Sequence, residues 1–191
     1  MATDTKDRMI EATARLIQAR GLHGVSLSDI LGESGAPRGS LYFHFPGGKE
    51  SVVLEAMQAG IREATDILSE CLRSADDPAV GVRAFFQAAA DEMAESGYLF
   101  GCPVGSIVLD APSADSELAA ACQAAFREWT QMYRDTLETA GLAPKRAERL
   151  ARAIVASLEG ALMMARSERD AARIEEVGDE IAEMVGQALR S

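Results

Sequence analysis

SLSDILGESGAPRGSLYFHFPGGKE, residues 26–50, divides itself into a short helix, a tight turn, a second short helix and the start of a third. Ser26 suits an N-cap, and Asp29 three residues on completes a capping-box-like pair, weaker than one with Glu. Leu27, Ile30 and Leu31 point inward from the helix that follows. Gly35 supplies the left-handed residue of the turn, and Pro37 presets the backbone that opens the next helix. Leu41 and Phe45 stand four apart on one helical face, placed to pack on Ile30 and Leu16. Toward the N-terminus, Met9, Ala12, Thr13, Leu16 and Ile17 recur at spacings of three and four, one face of a helix, which Gly21 ends. Leu22 and Val25 tuck beneath the unit. Toward the C-terminus, Pro46-Gly47-Gly48 makes a turn and Lys49-Glu50 opens a further helix. The pattern is a helix-turn-helix.

Arg38, Gly39, Ser40, Tyr42, Phe43 and His44 are left on the other faces of the second helix, which in this motif lies in or beside the major groove of DNA. Gly39 lets the helix approach a phosphate or base closely. Arg38 and Ser40 can donate to base edges or phosphates. Tyr42 and His44 have the reach to donate to phosphate oxygens, which sets register rather than sequence. The free amides and positive dipole end of the helix at Lys49 suit a phosphate, and the Lys49 ammonium adds a charge. Ser28 joins these seven as a candidate DNA contact. The alternatives for the same residues are a structural helical hairpin with a surface tyrosine, or a protein-binding use of the motif.

The run Gly35-Ala36-Pro37-Arg38-Gly39-Ser40-Leu41-Tyr42-Phe43-His44-Phe45, followed by Lys49-Glu50, resembles the signature of the TetR family of bacterial transcription repressors. The lead-in Ala12, Leu16-Ile17, Gly21, Val25-Ser26 and Asp29-Ile30 fits as well, so the match covers about residues 8–55. Most members have two residues between the phenylalanine and the lysine; this chain has three, Pro46, Gly47 and Gly48. The Phe-Pro-x-Gly-Lys-Glu form, with Gly101-Cys102-Pro103-Val104 later, is similar to the branch that includes lincomycin-resistance and flavonoid-responsive repressors.

The 191 residues allow one small and one medium domain. We place a helix-turn-helix DNA-binding domain over 1–50 and a helical ligand-binding and dimerisation domain over 51–191. The net charge of −11 is unevenly spread. Residues 1–50 balance six Lys/Arg against six Asp/Glu, whereas residues 51–191 set thirteen against twenty-four. An acidic body and a neutral tip orient the protein on DNA and suppress non-specific binding. No stretch reaches the ~18 uninterrupted apolar residues of a membrane helix, and the N-terminus is polar, so no secretory signal is expected. These features predict a cytoplasmic protein with no cofactor.

Cys71, Cys102 and Cys122 form no CxxC or Cys/His cluster, which argues against zinc. They read as reduced, buried thiols, or, at Cys102, as a redox sensor. An enzyme is excluded on chemistry. There is no Ser/His/Asp set, no phosphate-binding glycine loop after a strand and no metal ligand set. The only histidines, His23 and His44, both lie in the reader.

Beyond Lys49 the chain predicts helices over about 49–74, 79–95, 116–140, 145–166 and 171–189. Asp115 and Ser116 cap the third, and a glycine-rich segment with the apolar run Cys102–Leu109 precedes it. The fold class is therefore all-α. Leu118, Cys122, Ala125, Trp129, Met132, Tyr133, Thr136 and Leu137 form one stripe. Phe85, Phe86 and Met93 face inward from the helix before. Most of this is core, and the resemblance implies that part of it is a ligand pocket. Buried Trp and Tyr need polar partners, and Met adapts to several ligands. The candidate pocket residues are Phe86, Met93, Tyr98, Cys102, Trp129, Met132, Tyr133 and Met163.

Residues 150–164 are apolar nearly all round, so both faces of that helix should be buried. Small residues such as Ser157, Gly160 and Ala161 allow close helix approach. The candidate dimer residues are Ile154, Ser157, Leu158 and Ala161, with Ile174, Val177, Ile181 and Met184 on the last helix. They suggest a two-fold, four-helix interface, as TetR-like proteins have. Two-fold symmetry then implies a palindromic operator read by helices about 34–36 Å apart. The resemblance implies a repressor released by a small aromatic or amphipathic effector. The alternatives are an activator, or a DNA-binding regulator with no small ligand and a thiol switch at Cys102.

The charge distribution carries a measurable consequence. Few phosphates are neutralised by full charges, so affinity should fall less steeply with salt than for a basic DNA binder. In a plot of log affinity against log salt concentration, the expected slope corresponds to fewer than about ten released ions per dimer. A steeper slope would contradict the neutral-tip reading.

Overall fold

The computed structural model describes residues 5–110 and 116–190. Among them there are nine helices and no strand. They are α1 (Thr5–Arg20), α2 (Leu27–Ser34), α3 (Arg38–His44), α4 (Lys49–Ser74), α5 (Pro78–Glu95), α6 (Gly105–Asp110), α7 (Glu117–Thr139), α8 (Pro144–Glu168) and α9 (Ala172–Leu189). The all-α class is as expected. The helix not foreseen is α6, which forms inside the apolar run after Pro103, with the Val104 carbonyl accepting from the Ile107 and Val108 amides. Six residues are too few for periodicity to show. Of the expected cap on α7, Asp115 lies outside the described residues. Ser116 fills its part, its Oγ accepting the Ala119 amide at 3.1 Å. No helix among the described residues is long and apolar enough to cross a membrane.

The chain packs into two compact units. One draws on the residues up to Glu63 together with Cys102–Gln123; the other on Ala64–Gly101 and the residues from Ala124 onward. This differs from a boundary at residue 50. A continuous helix such as α4 presents no break to packing, so its first turns group with α1–α3, as do α6 and the start of α7.

In the first unit α1 packs on α2, α3 and α6. Met9, Ala12, Leu16 and Ile17 from α1, Ile30 from α2, and Leu41 and Phe45 from the α3 region are all buried. Ser26 and Asp29 form the full capping box: the Ser26 amide donates to the Asp29 carboxylate at 2.8 Å and the Asp29 amide to Ser26 Oγ at 3.2 Å. The Ser26 hydroxyl and then its amide hold the Asp29 carboxyl below the usual range. Gly35 takes the left-handed conformation, φ 62°, that ends α2. Arg8 secures this turn by donating to the Ser34 carbonyl at 3.0 Å.

In the second unit α5 packs chiefly on α9, and α8 packs on both. Ile154, Leu158, Ala161, Ile174 and Ile181 are buried there. Gly178 on α9 lies directly on Phe86 of α5. A Cβ at that position would stand 2.5 Å from Phe86 Cβ and 2.9 Å from its Cγ. Phe86 Cβ is fixed to the α5 backbone and cannot swing aside. Gly178→Ala gains about 1 kcal/mol of helix propensity, but overpacking of a fixed atom typically costs about 1–3 kcal/mol, occasionally more. At 2.5 Å from a fixed atom the cost falls at the upper end of that range, about 3 kcal/mol, so we expect a net loss of about 2 kcal/mol, read as a lower denaturant midpoint at unchanged m-value. Unchanged stability would mean α5 and α9 are less closely packed.

Candidate nucleic-acid interface

Burying Leu41 and Phe45 turns the opposite face of α3 outward. Phe43 is 80% exposed and Tyr42 55%. Nothing stands within 4 Å of where a Cβ on Gly39 would lie. Arg38 is exposed and has no ion pair among the described residues, while Ser40 and His44 are half-buried. The His44 ring lies edge-on to Phe43, centroids 4.9 Å apart.

Four of the eight candidate DNA residues converge. A cleft of about 510 Å³ opens between the starts of α2 and α4 and the flank of α3, with Ser28, Arg38, Tyr42 and Lys49 over Leu31 and Leu41. Ser26 Oγ and Ser28 Oγ lie 2.7 Å apart at the α2 end. The cleft thus gathers two cations, hydroxyl donors and the amide-bearing start of α2, the groups that suit an anion. Gly39 and Phe43 lie apart from it on the outer face of α3.

Lys49 does more than point a charge outward. Its Nζ donates to the Leu22 carbonyl at 2.8 Å and ties the start of α4 to the α1–α2 loop. An ammonium has three donors, so it can still serve an anion in the cleft. The neighbouring link was not foreseen. The Leu22 amide donates to Asp110 Oδ2 at 2.9 Å, and His23 Nε2 donates to the Asp110 carbonyl at 3.0 Å. Gly21 makes room for this clamp: it has φ +73°, and a Cβ on it would stand 2.7 Å from Asp110 Oδ2. Asp110 ends α6, and no local signal in the sequence links it to residues nearly ninety positions earlier.

The candidate pocket residues divide. In the second unit Phe86, Met93, Trp129 and Tyr133 are buried and Met132 is half-buried. Trp129 Nε1 donates to Thr65 Oγ1 at 2.8 Å. The Tyr133 hydroxyl is buried and has no hydrogen-bond partner among the described residues. Burial, chiefly, and the nearby Cys71 push its acidity far down, so it stays neutral. Three candidates stand apart from these. Met163 is 65% exposed in the single chain. Tyr98 is half-exposed, its ring under the Arg169 guanidinium at 5.2 Å. Cys102 belongs to the first unit, where its Sγ accepts the Val104 amide at 3.4 Å.

The candidate dimer residues also divide. Ile154, Leu158, Ala161, Ile174 and Ile181 have at most 9% of their surface left exposed within the single chain, so they support such a face rather than form it. Ser157 and Val177 are half-buried, and Met184 is exposed. The apolar surface left open on α8 is carried by Met163, Met164 and Ala156, which the uniformly apolar sequence of α8 did not single out. Among the described residues no group of three or more His, Cys, Asp or Glu is placed to hold a metal.

Residues 9–56 match the family described as "Bacterial regulatory proteins, tetR family". Residues 78–180 match "Transcriptional regulator LmrA/YxaF-like, C-terminal domain". The HTH-type transcriptional regulator LmrA of Bacillus subtilis (strain 168) is 32% identical over 161 residues, covering 84% of this chain and 86% of that protein. A TetR transcriptional regulator from Chloroflexus aurantiacus J-10-FL is similar in structure, with a TM-score of 0.82 at 26% identity, over 96% of this chain and 94% of its own. The TetR family regulator CifR, solved as a cysteine mutant with 26-base-pair operator DNA, shares the fold. Its TM-score is 0.77 at 21% identity, over 100% of this chain and 97% of its own.

The Asp110 clamp is testable without any ligand. Asp110→Ala leaves the part-buried Leu22 amide without its acceptor, a loss of about 1–3 kcal/mol. Native-state hydrogen exchange at the Leu22 amide should therefore accelerate by roughly tenfold or more. Retained protection would show that another group holds the loop.

Proposed function

Because the chain belongs to the TetR family of bacterial transcriptional regulators and carries an LmrA/YxaF-like C-terminal domain, we propose that it is a DNA-binding repressor. It binds a palindromic operator as a homodimer in the cytoplasm and is released by a small aromatic or amphipathic molecule. The observation that carries this reading is the convergence of Ser28, Arg38, Tyr42 and Lys49 on one cleft beside the outward face of α3. Ser28, Arg38, Tyr42 and Lys49 in the cleft, with His44 outside it, hold phosphates, while Gly39, Ser40 and Phe43 face the groove. The operator-bound structure of CifR, a protein of the same fold, supports the use of this fold on DNA.

The dimer face is the surface of α8 and α9 around Met163, Met164 and Met184, which are 65%, 49% and 38% exposed in the single chain. Exposed apolar groups gathered on adjacent helices favour a partner surface, and a closed two-fold pair is the commonest solution. The effector sits among Phe86, Met93, Trp129, Met132 and Tyr133, where the unpaired Tyr133 hydroxyl offers it a hydrogen bond. It must bind the released form better than the DNA-bound form, and operator must weaken effector binding by the same factor. The Leu22 backbone is held by Asp110 of α6 and Lys49 of α4, so a shift of either within this unit would disturb the loop that leads into α2. A second reading, release by oxidation of Cys102, has one observation behind it: the thiol is only partly buried, with the Val104 amide 3.4 Å from its sulfur.

Fluorescence anisotropy against duplex DNA from the gene's own upstream region tests the proposal. We expect saturable binding by two chains per duplex, competed poorly by random DNA. Tyr42→Phe deletes one hydrogen bond to a charged phosphate, about 1.5–3 kcal/mol, and should weaken binding about tenfold or more on every sequence alike. A selective loss on one sequence would place Tyr42 at a base. Undiminished binding would remove it from the interface.

A further inference from the structure

We propose that Phe43 reads the C5 methyl group of thymine, so that each operator half-site carries a thymine where the last turn of α3 meets the major groove. The inference rests on the DNA-binding reading of α3 and adds the chemistry by which it selects sequence.

Phe43 is the most exposed of the large apolar side chains among the described residues, at 80%. It lies opposite the buried Leu41 and Phe45, the side of α3 that points away from the protein. Gly39 lies one turn earlier on the same face, with open space where its Cβ would be. The backbone there is bare, and α3 can sink toward the groove floor until the Phe43 ring touches it. The polar groups suited to phosphate lie to the side: Ser28, Arg38, Tyr42 and Lys49 line the cleft, and Phe43 does not. Phosphate donors on the flank and an apolar ring in the middle set the ring against base edges, not the backbone.

Of the major-groove edges only thymine offers an apolar group. Guanine presents N7 and O6, adenine N7 and N6, and cytosine its N4 amine. A phenyl ring pressed on any of these strips water from a donor or acceptor and returns no hydrogen bond. Against a thymine methyl the same ring buries apolar surface. The edge-on His44 ring, 4.9 Å away, limits the orientations Phe43 must give up on binding.

The test uses the full-length protein and duplexes it recovers from a randomised pool, with thymine replaced by deoxyuridine one position at a time. This substitution removes one methyl and leaves the hydrogen-bonding edge intact. We expect a position in each half-site where the change weakens binding about fourfold per methyl, the loss of one buried methyl-sized group. Phe43→Ala should bind the thymine and uracil duplexes equally, whereas Phe43→Leu should keep part of the preference. The assignment is overturned if the wild type tolerates uracil at every position, or if Phe43→Ala retains the wild-type ratio. Recovery of no duplex at all overturns the DNA reading itself and this assignment with it.

Discussion

The reader is held in place by the backbone of one residue. Leu22 gives its amide to Asp110 at the end of α6 and its carbonyl to Lys49 at the start of α4, and its side chain is buried. Hydrogen bonds weaken steeply as distance and angle depart from their optimum. The loop between α1 and α2 therefore cannot shift relative to α6 without losing one bond, or relative to α4 without losing the other. Because α2 starts at the end of this loop and α3 packs on α1, the orientation of the reading helix inherits both constraints. Gly21 is the one residue type that permits the arrangement, since it combines a left-handed backbone with the close approach of the Asp110 carboxylate.

What was legible in the sequence was what is local. The capping box at Ser26 and Asp29, the left-handed Gly35 and the buried pair Leu41 and Phe45 each declare themselves within four residues. Together they leave one way to fold residues 26–45. The Asp110 clamp had no such signature, because it joins a six-residue helix to a loop nearly ninety positions earlier. The faces of α8 were hidden for a different reason. When Ile, Leu, Ala and Met surround a helix, the pattern has no phase. Only packing against α5 and α9 decides that Ile154 and Leu158 go in and Met163 and Met164 stay out. The same absence of phase put Met163 among pocket residues in the sequence reading. Cys102 groups with the N-terminal helices rather than with the neighbouring α5, a placement its local sequence did not signal.

Charge and shape divide the work of the reader. With Lys/Arg and Asp/Glu in balance over residues 1–50, attraction to the duplex rests on a few cations, on hydroxyls and on helix termini. Such donors need a phosphate at a defined place, whereas a dense field of lysines accepts one anywhere. The position of the cleft relative to α3 therefore matters more on this reading than net charge does, and the two bonds at Leu22 fix the loop that leads into α2.

A reader of this kind gains little from DNA it merely touches. Non-specific affinity comes mainly from counterion release, and a balanced charge over residues 1–50 offers little of it. On the proposed placement of α3, specific binding then depends on shape and on its outer face fitting the groove floor. That has a consequence for control. A coupling of about 1–3 kcal/mol between effector and DNA changes affinity only about 5–150-fold. In a strongly basic protein that change would leave much of the population on bulk DNA, poised to return to the operator. Where bulk DNA holds a regulator weakly, the same modest coupling would be enough to empty an operator. On the proposed effector-release mechanism, the acidic body and neutral tip would let a modest coupling suffice for release.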